Sequence, residues 1–232
     1  MRKPRTSTRT TQIRPLDRAF FSRDPRRVAR ELLGKVLVRQ NDARQEDAHQ
    51  SRHRLTARIV EVEAYLGEKD PAAHAAAGHT PRTAVLFGPP GHAYVYFIYG
   101  NHYCLNVSCE REGRAGSVLF RALEPLSGIE EMAKARGIEI HGPKDVIKLT
   151  SGPGKLCEAF AITRARDNAC DLTSTASSLW IGEVSAGEVW AGEDGYRARR
   201  IRTTPRIGIT KAVDKPLRYL LHGNPFVSGR KT

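Results

Sequence analysis

Apolar and polar residues alternate with a period of two in several short runs of this chain, and Gly/Pro-rich segments separate those runs. "KVLVR" puts Val36 and Val38 on one strand face. "LTARIVEVEAYLG" alternates from Leu55 to Ala64, with Val60 and Val62 on one face and Glu61 and Glu63 on the other. The polar stretch "QNDARQEDAHQSRHR" between these runs reads as a surface loop joining two paired strands. "AYVYFIYGNHYCLNVSC" reads as two strands around a reversal at Tyr99-Gly100-Asn101-His102, and "GSVLFRALEP" as a further strand. Weaker strand patterns cover Leu179 to Ile181, Arg206 to Thr210 and Leu217 to Leu221.

Helical signals are fewer. "SRDPRRVARELLG" offers Ser22 or Asp24 as N-cap, Pro25 at the first helical position and Gly34 as stop. "SGIEEMAKARG" opens with a Ser127 and Glu130 capping box and closes at Gly137. A helix over Gly154 to Ile162 places Leu156, Ala159 and Phe160 on one face. From Gly67 to Gly91 no period is sustained, which predicts a long ordered loop with a short helix near Pro71 to Ala77. Long loops in compact domains are often functional. Strands outnumber helices and nothing repeats, so the expected class is α+β in one domain over residues 16–232.

Composition narrows the partners. The 232 residues include 38 Lys and Arg against 25 acids, a formal net charge of +13. The segment "MRKPRTSTRTTQIR" carries five of those cations and no acid, and residues 1–15 are expected to be a disordered basic tail. About +8 remains without it, which favours contact with DNA or RNA over a merely solvated surface. No apolar run approaches the roughly 20 residues of a membrane span, and the N-terminus lacks a signal peptide's apolar core, so no membrane partner is expected. The expected location is cytoplasmic and nucleoid-associated, or nuclear in a eukaryotic cell. Cys104, Cys109, Cys157 and Cys170 show no C-x-x-C spacing and are expected to be reduced, mostly buried thiols.

Candidate chemistry gathers around the acidic strand. Two carboxylates sharing a face are ordinary on an exposed strand but costly if buried without partners. Tyr65 on the same face, beside a loop holding His74, His79 and Arg82, makes Glu63 a candidate general base next to an aromatic pocket. Tyr94, Tyr96 and Ile98 are accounted for as one packed face. Tyr99 is not: it has the opposite parity at a reversal, where an apolar ring suits insertion into a base stack. Asn106 and Arg121 either face solvent or line a concave surface with Glu63; spacing leaves both open.

Three motifs carry less. "SGPGKL" lacks the Ser or Thr and the glycine spacing of a phosphate loop, though its lysine could touch DNA phosphate. His74 and His79 lack zinc spacing, and no metal or other cofactor is expected. Glu61 and Glu63, two residues apart on one strand, project in parallel and do not flank a substrate like a sugar hydrolase pair.

The blocks "RIVEVEAYLG", "DPAAHA", "TPR", "YVYFIYGNHYCLNVS", "LFRALEPL", "SGPGKLCEAFAI", "PRIGI" and "KPLRY" occur in order and at about the right spacing, so the chain from Phe20 to Ser228 resembles the alkyladenine DNA glycosylase family. The resemblance implies a monofunctional enzyme that flips a damaged purine out of duplex DNA and hydrolyses its N-glycosidic bond. By position Glu63 matches the general base, Arg121 a residue that helps hold the attacking water, and Ile207 a backbone carbonyl that does the same. Tyr65, His74 and Tyr96 match the walls around the extruded base, Asn106 the residue opposing the amino group of normal guanine, and Tyr99 the intercalating side chain. Arg82, Lys155 and Lys211 are the DNA-backbone candidates. The implied fold resembles the C-terminal domain of methionyl-tRNA formyltransferase: a compact domain with a curved, mostly antiparallel sheet, flanking helices and a protruding β-hairpin. Double-stranded DNA with damaged purines is the implied partner, and the protein is expected to be a monomer. A non-catalytic basic DNA- or RNA-binding module is the competing reading, and a glycosylase with a lysine nucleophile is a third.

Overall fold

A computed structural model describes residues 12–40, 54–98, 100–184 and 201–229. Its centre is β3 (Arg54–Tyr65), a strand of 12 residues whose stretch from Thr56 to Ala64 is wholly buried. The first half of β3 pairs with β2 (Val36–Gln40), and its second half with β9 (Arg218–Leu221). Its other edge carries β6 (Ser117–Ser127). Beyond β6 follow β5 (His102–Ser108) and β4 (Ala93–Ile98), which form a hairpin at the sheet edge. On the β2 side lie β7 (Leu179–Val184) and β1 (Ile13–Pro15), while β8 (Ile201–Thr204) pairs with β9. Every recorded pairing is antiparallel, as expected of the α+β class with an open sheet.

Helices cover the sheet. α1 (Arg18–Phe21) leads into α2 (Pro25–Leu32), which starts where its sequence signals place it: the Asp24 side chain caps Arg26 N–H, and Pro25 occupies the first turn. α2 buries Val28, Ala29 and Leu32 in the main core beside Leu37, Ile59 and Phe120. After α3 (Ala84–Phe87), α4 (Ile129–Arg136) and α5 (Pro143–Thr150), α6 (Pro153–Ala159) packs on β5 and sinks Leu156, Ala159 and Phe160, the expected face. α7 (Arg164–Asp167) lies against β4. No helix among the described residues is long and apolar enough to cross a membrane.

Several sequence expectations give way to tertiary pairing. The disordered tail expected over residues 1–15 ends in β1, where Ile13–Pro15 hydrogen-bond to β7; residues 1–11 lie outside the described set. Arg206 to Thr210 form no strand. The strand is β8, just upstream, and Pro205, which has no N–H to donate, follows it directly. Ser127 does not cap α4: its hydroxyl meets Thr56 Oγ1 at 2.8 Å and donates to the Arg54 carbonyl, leaving Gly128 at the cap with φ 74°. Val60 and Val62 do not share a cluster. A bulge between Ile59 and Glu61 breaks the alternation, sending Val62 to the main core and Val60 to a patch with Ala122 and Phe226. The polar loop after Gln40 lies outside the described residues, but the β2–β3 pairing it was expected to join is present. Cys104, Cys109 and Cys157 are buried, Cys170 is partly so, and none is paired.

Candidate active site

The bulge leaves Glu61 and Glu63 reaching the same partner. Both are fully buried, so the exposed-strand reading fails, and the physical question becomes what neutralises them. Arg121, from the paired strand β6, donates from Nε to Glu61 Oε1 at 2.9 Å and lies with Nη1 3.2 Å from Glu63 Oε1. Glu61 is then closed off by Arg218 Nε at 2.6 Å and by the backbone N–H and hydroxyl of Ser228.

Glu63 is held differently. Its Oε1 also accepts the Ile207 N–H at 2.9 Å, and among the described residues its Oε2 accepts only the Tyr65 hydroxyl at 3.0 Å. Burial pushes the Glu63 carboxyl above the ordinary carboxylate range, and the Arg121 charge, the Ile207 N–H and the Tyr65 hydroxyl offset that only in part. Arg121 stays firmly cationic: burial opposes its charge, but Glu63 and Glu61 outweigh it.

Tyr65, Arg121 and Ile207, the three partners of Glu63, all line a cavity of about 320 Å³. Glu63 itself is 0% exposed and stands directly behind that wall. The β4 residues Tyr94, Tyr96 and Ile98, expected to form one packed face, line the cavity together, with the two tyrosine rings stacked at 5.3 Å. His74 closes the aromatic end, edge-on to Tyr96 at 4.6 Å, with Nδ1 2.9 Å from the Tyr94 hydroxyl. Burial and the nearby Arg82 charge hold His74 below the usual histidine range, so it is neutral at pH 7. Asn106, Ser117, Cys104 and Leu119 complete the floor. Asn106 Nδ2 donates to Ser117 Oγ at 3.0 Å, while its Oδ1 is buried without a partner among the described residues. Burial pushes the Cys104 thiol up to about 11, so it is neutral.

The loop between β3 and β4 reaches the cavity because its first turn is pinned. Gly67, at φ 79°, packs against Ala115, whose carbonyl oxygen would lie 1.9 Å from any Cβ at this position. Asp70 caps the Leu66 and Ala72 N–H groups and forms a two-pronged pair with Arg206 at 2.6 and 2.9 Å, both residues fully buried. Arg206 also donates to the Ala64 carbonyl, and its guanidinium stacks 4.6 Å from the Tyr65 ring centroid. One arginine thereby fixes the loop, the end of β3 and the Tyr65 wall. The sequence assigned no role to Asp70, Arg206, Arg218 or Ser228, each one polar residue far from its partner; the blocks "DPAAHA", "PRIGI" and "KPLRY" contain the first three without singling them out.

The structure thus brings Glu63, Arg121, Ile207, Tyr65, His74, Tyr96 and Asn106 to one cavity. The Ile207 carbonyl, matched with water holding, accepts from Arg121 Nη1 at 3.4 Å. His79 instead packs on Phe87 and does not line the cavity. Lys155 and Lys211 are exposed, each two residues beyond a cavity-lining residue, Pro153 and Ile209. Arg82 is exposed and sits beside Tyr94. Tyr99 lies outside the described residues.

Comparison with known proteins gives the family. Residues 19–225 match the model of the family described as Methylpurine-DNA glycosylase. A relative from Koribacter versatilis is 55% identical over 228 residues, covering 98% of this chain and 99% of its own, and carries the name "Putative 3-methyladenine DNA glycosylase". Relatives of the same name from Alkaliphilus oremlandii and Methanoculleus marisnigri are each 44% identical, covering 92% and 93% of this chain and 98% and 99% of their own. With nearly the whole chain matched and a buried glutamate behind an aromatic cavity, the protein belongs to the methylpurine-DNA glycosylase family, hydrolases of N-glycosyl bonds that act on DNA.

Proposed function

We propose that this protein takes an alkylated or deaminated purine out of duplex DNA into the aromatic cavity and hydrolyses its glycosidic bond with a water activated by Glu63. The observation that carries this reading is Glu63 itself: a buried carboxylate of raised pKa, held by one charged and two neutral donors, with all three partners on the cavity wall. A base with its pKa lifted toward the working pH removes a proton more effectively than an ordinary carboxylate. Oε2, with a single donor among the described residues, is the oxygen left to accept that proton.

In the reaction the water oxygen bonds to C1′ of the deoxyribose and its proton passes to Glu63. The electrons of the C1′–N9 bond leave with the purine. When the purine is alkylated at N3 or N7 it is a cation, and those electrons neutralise it, so no acid is needed. The cavity suits such a cation. Tyr65, Tyr94 and Tyr96 offer aromatic faces, worth about 0.5–2 kcal/mol each against a cation. His74 is kept neutral and does not repel it, and the Arg121 charge is absorbed by Glu61 and Glu63. Extrusion adds a filter, since unstacking costs least for a damaged or mispaired base. Tyr99 fills the vacated stack in this reading. Among the described residues lining the cavity there is no lysine, which favours hydrolysis by water over a lysine nucleophile.

The test is single-turnover release of free base from two duplexes, one carrying hypoxanthine and one treated with a methylating agent. Release by the wild type and none by Glu63→Gln, with duplex binding intact, is the expected result. Binding without release by the wild type would establish the non-catalytic module instead.

A further inference from the structure

A second cleft, of about 230 Å³, lies on the other side of the tyrosine wall. Arg82, Tyr94, Val95, Tyr96, Phe97 and Arg164 line it, so Tyr94 and Tyr96 belong to both spaces. Its two arginines are exposed, and neither pairs with a carboxylate among the described residues. Phe97 is 49% exposed, one of only three large hydrophobic side chains so placed among the described residues. Two exposed guanidiniums without a carboxylate partner beside an exposed ring match a phosphate with its attached sugar.

The frame that holds them is rigid. Arg164 opens α7, whose last residue, Asp167, is fully buried against Arg39 at 2.8 Å. Asn168, which follows, accepts the Val95 N–H of β4 at 2.9 Å. On the other side Arg82 reaches the Tyr94 hydroxyl, the same hydroxyl that His74 meets from the base cavity. The backbone that carries Arg164 and the Arg82 side chain are therefore anchored to β4 before any ligand arrives, which lowers the ordering cost of binding.

We infer that this cleft seats one phosphodiester of the damaged strand beside the extruded nucleotide, gripped by Arg82 and Arg164 with the sugar against Phe97. The inference rests on the proposed function for the identity of the strand. A purine in the first cavity has its own backbone at the rim of the wall that the two spaces share, and the net charge of +13 makes DNA the fitting occupant. Arg164 and Phe97 thereby join the DNA contacts.

The experiment measures affinity of the whole protein for duplexes with a stable abasic-site analogue, which binds without turnover. In each duplex one phosphate is replaced by an uncharged methylphosphonate, at successive positions on either strand. For the wild type, neutralising one phosphate within two nucleotides of the site on the damaged strand should weaken binding by roughly tenfold, the scale of a charge-assisted contact. Arg164→Gln should bind the unmodified duplex about that much more weakly, show no further loss when that phosphate is neutral, and flatten the salt dependence by about one phosphate's share. Phe97→Ala should weaken binding with no change in salt slope. An Arg164→Gln variant as sensitive to that methylphosphonate as the wild type would overturn the proposal. So would a matching position found only on the complementary strand. Base release is not read in this assay, so a failed phosphate scan and a failed hydrolase reading are told apart.

Discussion

Glu61 and Glu63 sit two residues apart on β3, both wholly buried, both touching Arg121, and the chain treats them in opposite ways. Glu61 is saturated: two guanidiniums, a backbone N–H and a hydroxyl converge on it. Glu63 receives one shared guanidinium and two neutral donors, and its partners face a cavity. Saturation makes a counter-ion that locks β3, β6, β9 and the Ser228 segment together. Incomplete saturation leaves a carboxylate that still has affinity for a proton. The difference is set by which partners the fold supplies, since the residue type and strand are the same.

The sharpest way to break that comparison is to neutralise each carboxylate in turn and measure thermal stability. Glu61→Gln leaves the buried Arg121 and the half-buried Arg218 with reduced countercharge, and breaking such a buried pair costs about 3–5 kcal/mol. A fall in Tm of roughly 10 °C follows for a domain of this size. Glu63→Gln should not lower Tm at pH 8. The folded-state pKa of Glu63 is raised, so its favourable contribution is present below the unfolded pKa and is lost as pH rises through the folded value. Above that window the buried charge is a cost that glutamine removes. Equal losses in the two variants would erase the distinction between the glutamates.

Next in size is Asp70→Asn. Arg206 would remain buried behind Tyr65 with no carboxylate, at a cost again near 3 kcal/mol. Asp70 has a lowered pKa: burial opposes its charge, but Arg206 and two backbone N–H groups prevail. Its stabilisation is therefore present above the unfolded carboxylate pKa and lost as pH falls through the folded value. Acid denaturation curves should show the wild type converging on Asp70→Asn at low pH; a constant gap would contradict the pairing.

Smaller effects sharpen the Glu63 side. The single-turnover rate on an alkylated duplex should rise with pH as Glu63 ionises, with its midpoint above the ordinary glutamate value of about 4.3. Tyr65→Phe removes a donor that favours the ionised form, so the midpoint should move to higher pH, with a rate loss within about tenfold at the plateau. A midpoint that moves down, or not at all, would show that the hydroxyl does not act on Glu63.

Much of this was legible in the chain because it was local. The long alternation of β3, the Asp24-Pro25 helix start and the β4–β5 reversal were all written in neighbouring residues, and Glu63, Tyr65, Tyr96 and Asn106 fell on strands that could be read. What was hidden depends on distance. Nothing near Asp70 announces that it will meet Arg206, 136 residues on, and nothing near Glu61 announces Arg218 or Ser228. The bulge after Ile59 is likewise a tertiary event: it flips a parity that the sequence presents as unbroken. Strand β8 was misplaced because its pairing with β9, more than its own four residues, makes it a strand.

The most direct test compares base release by wild type, Glu61→Gln and Glu63→Gln under single-turnover conditions, each rate corrected for the folded fraction, with duplex affinity measured alongside. Glu63→Gln should be folded and bind DNA while releasing base about 10²–10⁴-fold more slowly, the range of a lost general base. Glu61→Gln, once corrected, should stay within about tenfold of wild type. Near-normal release by Glu63→Gln would contradict the account.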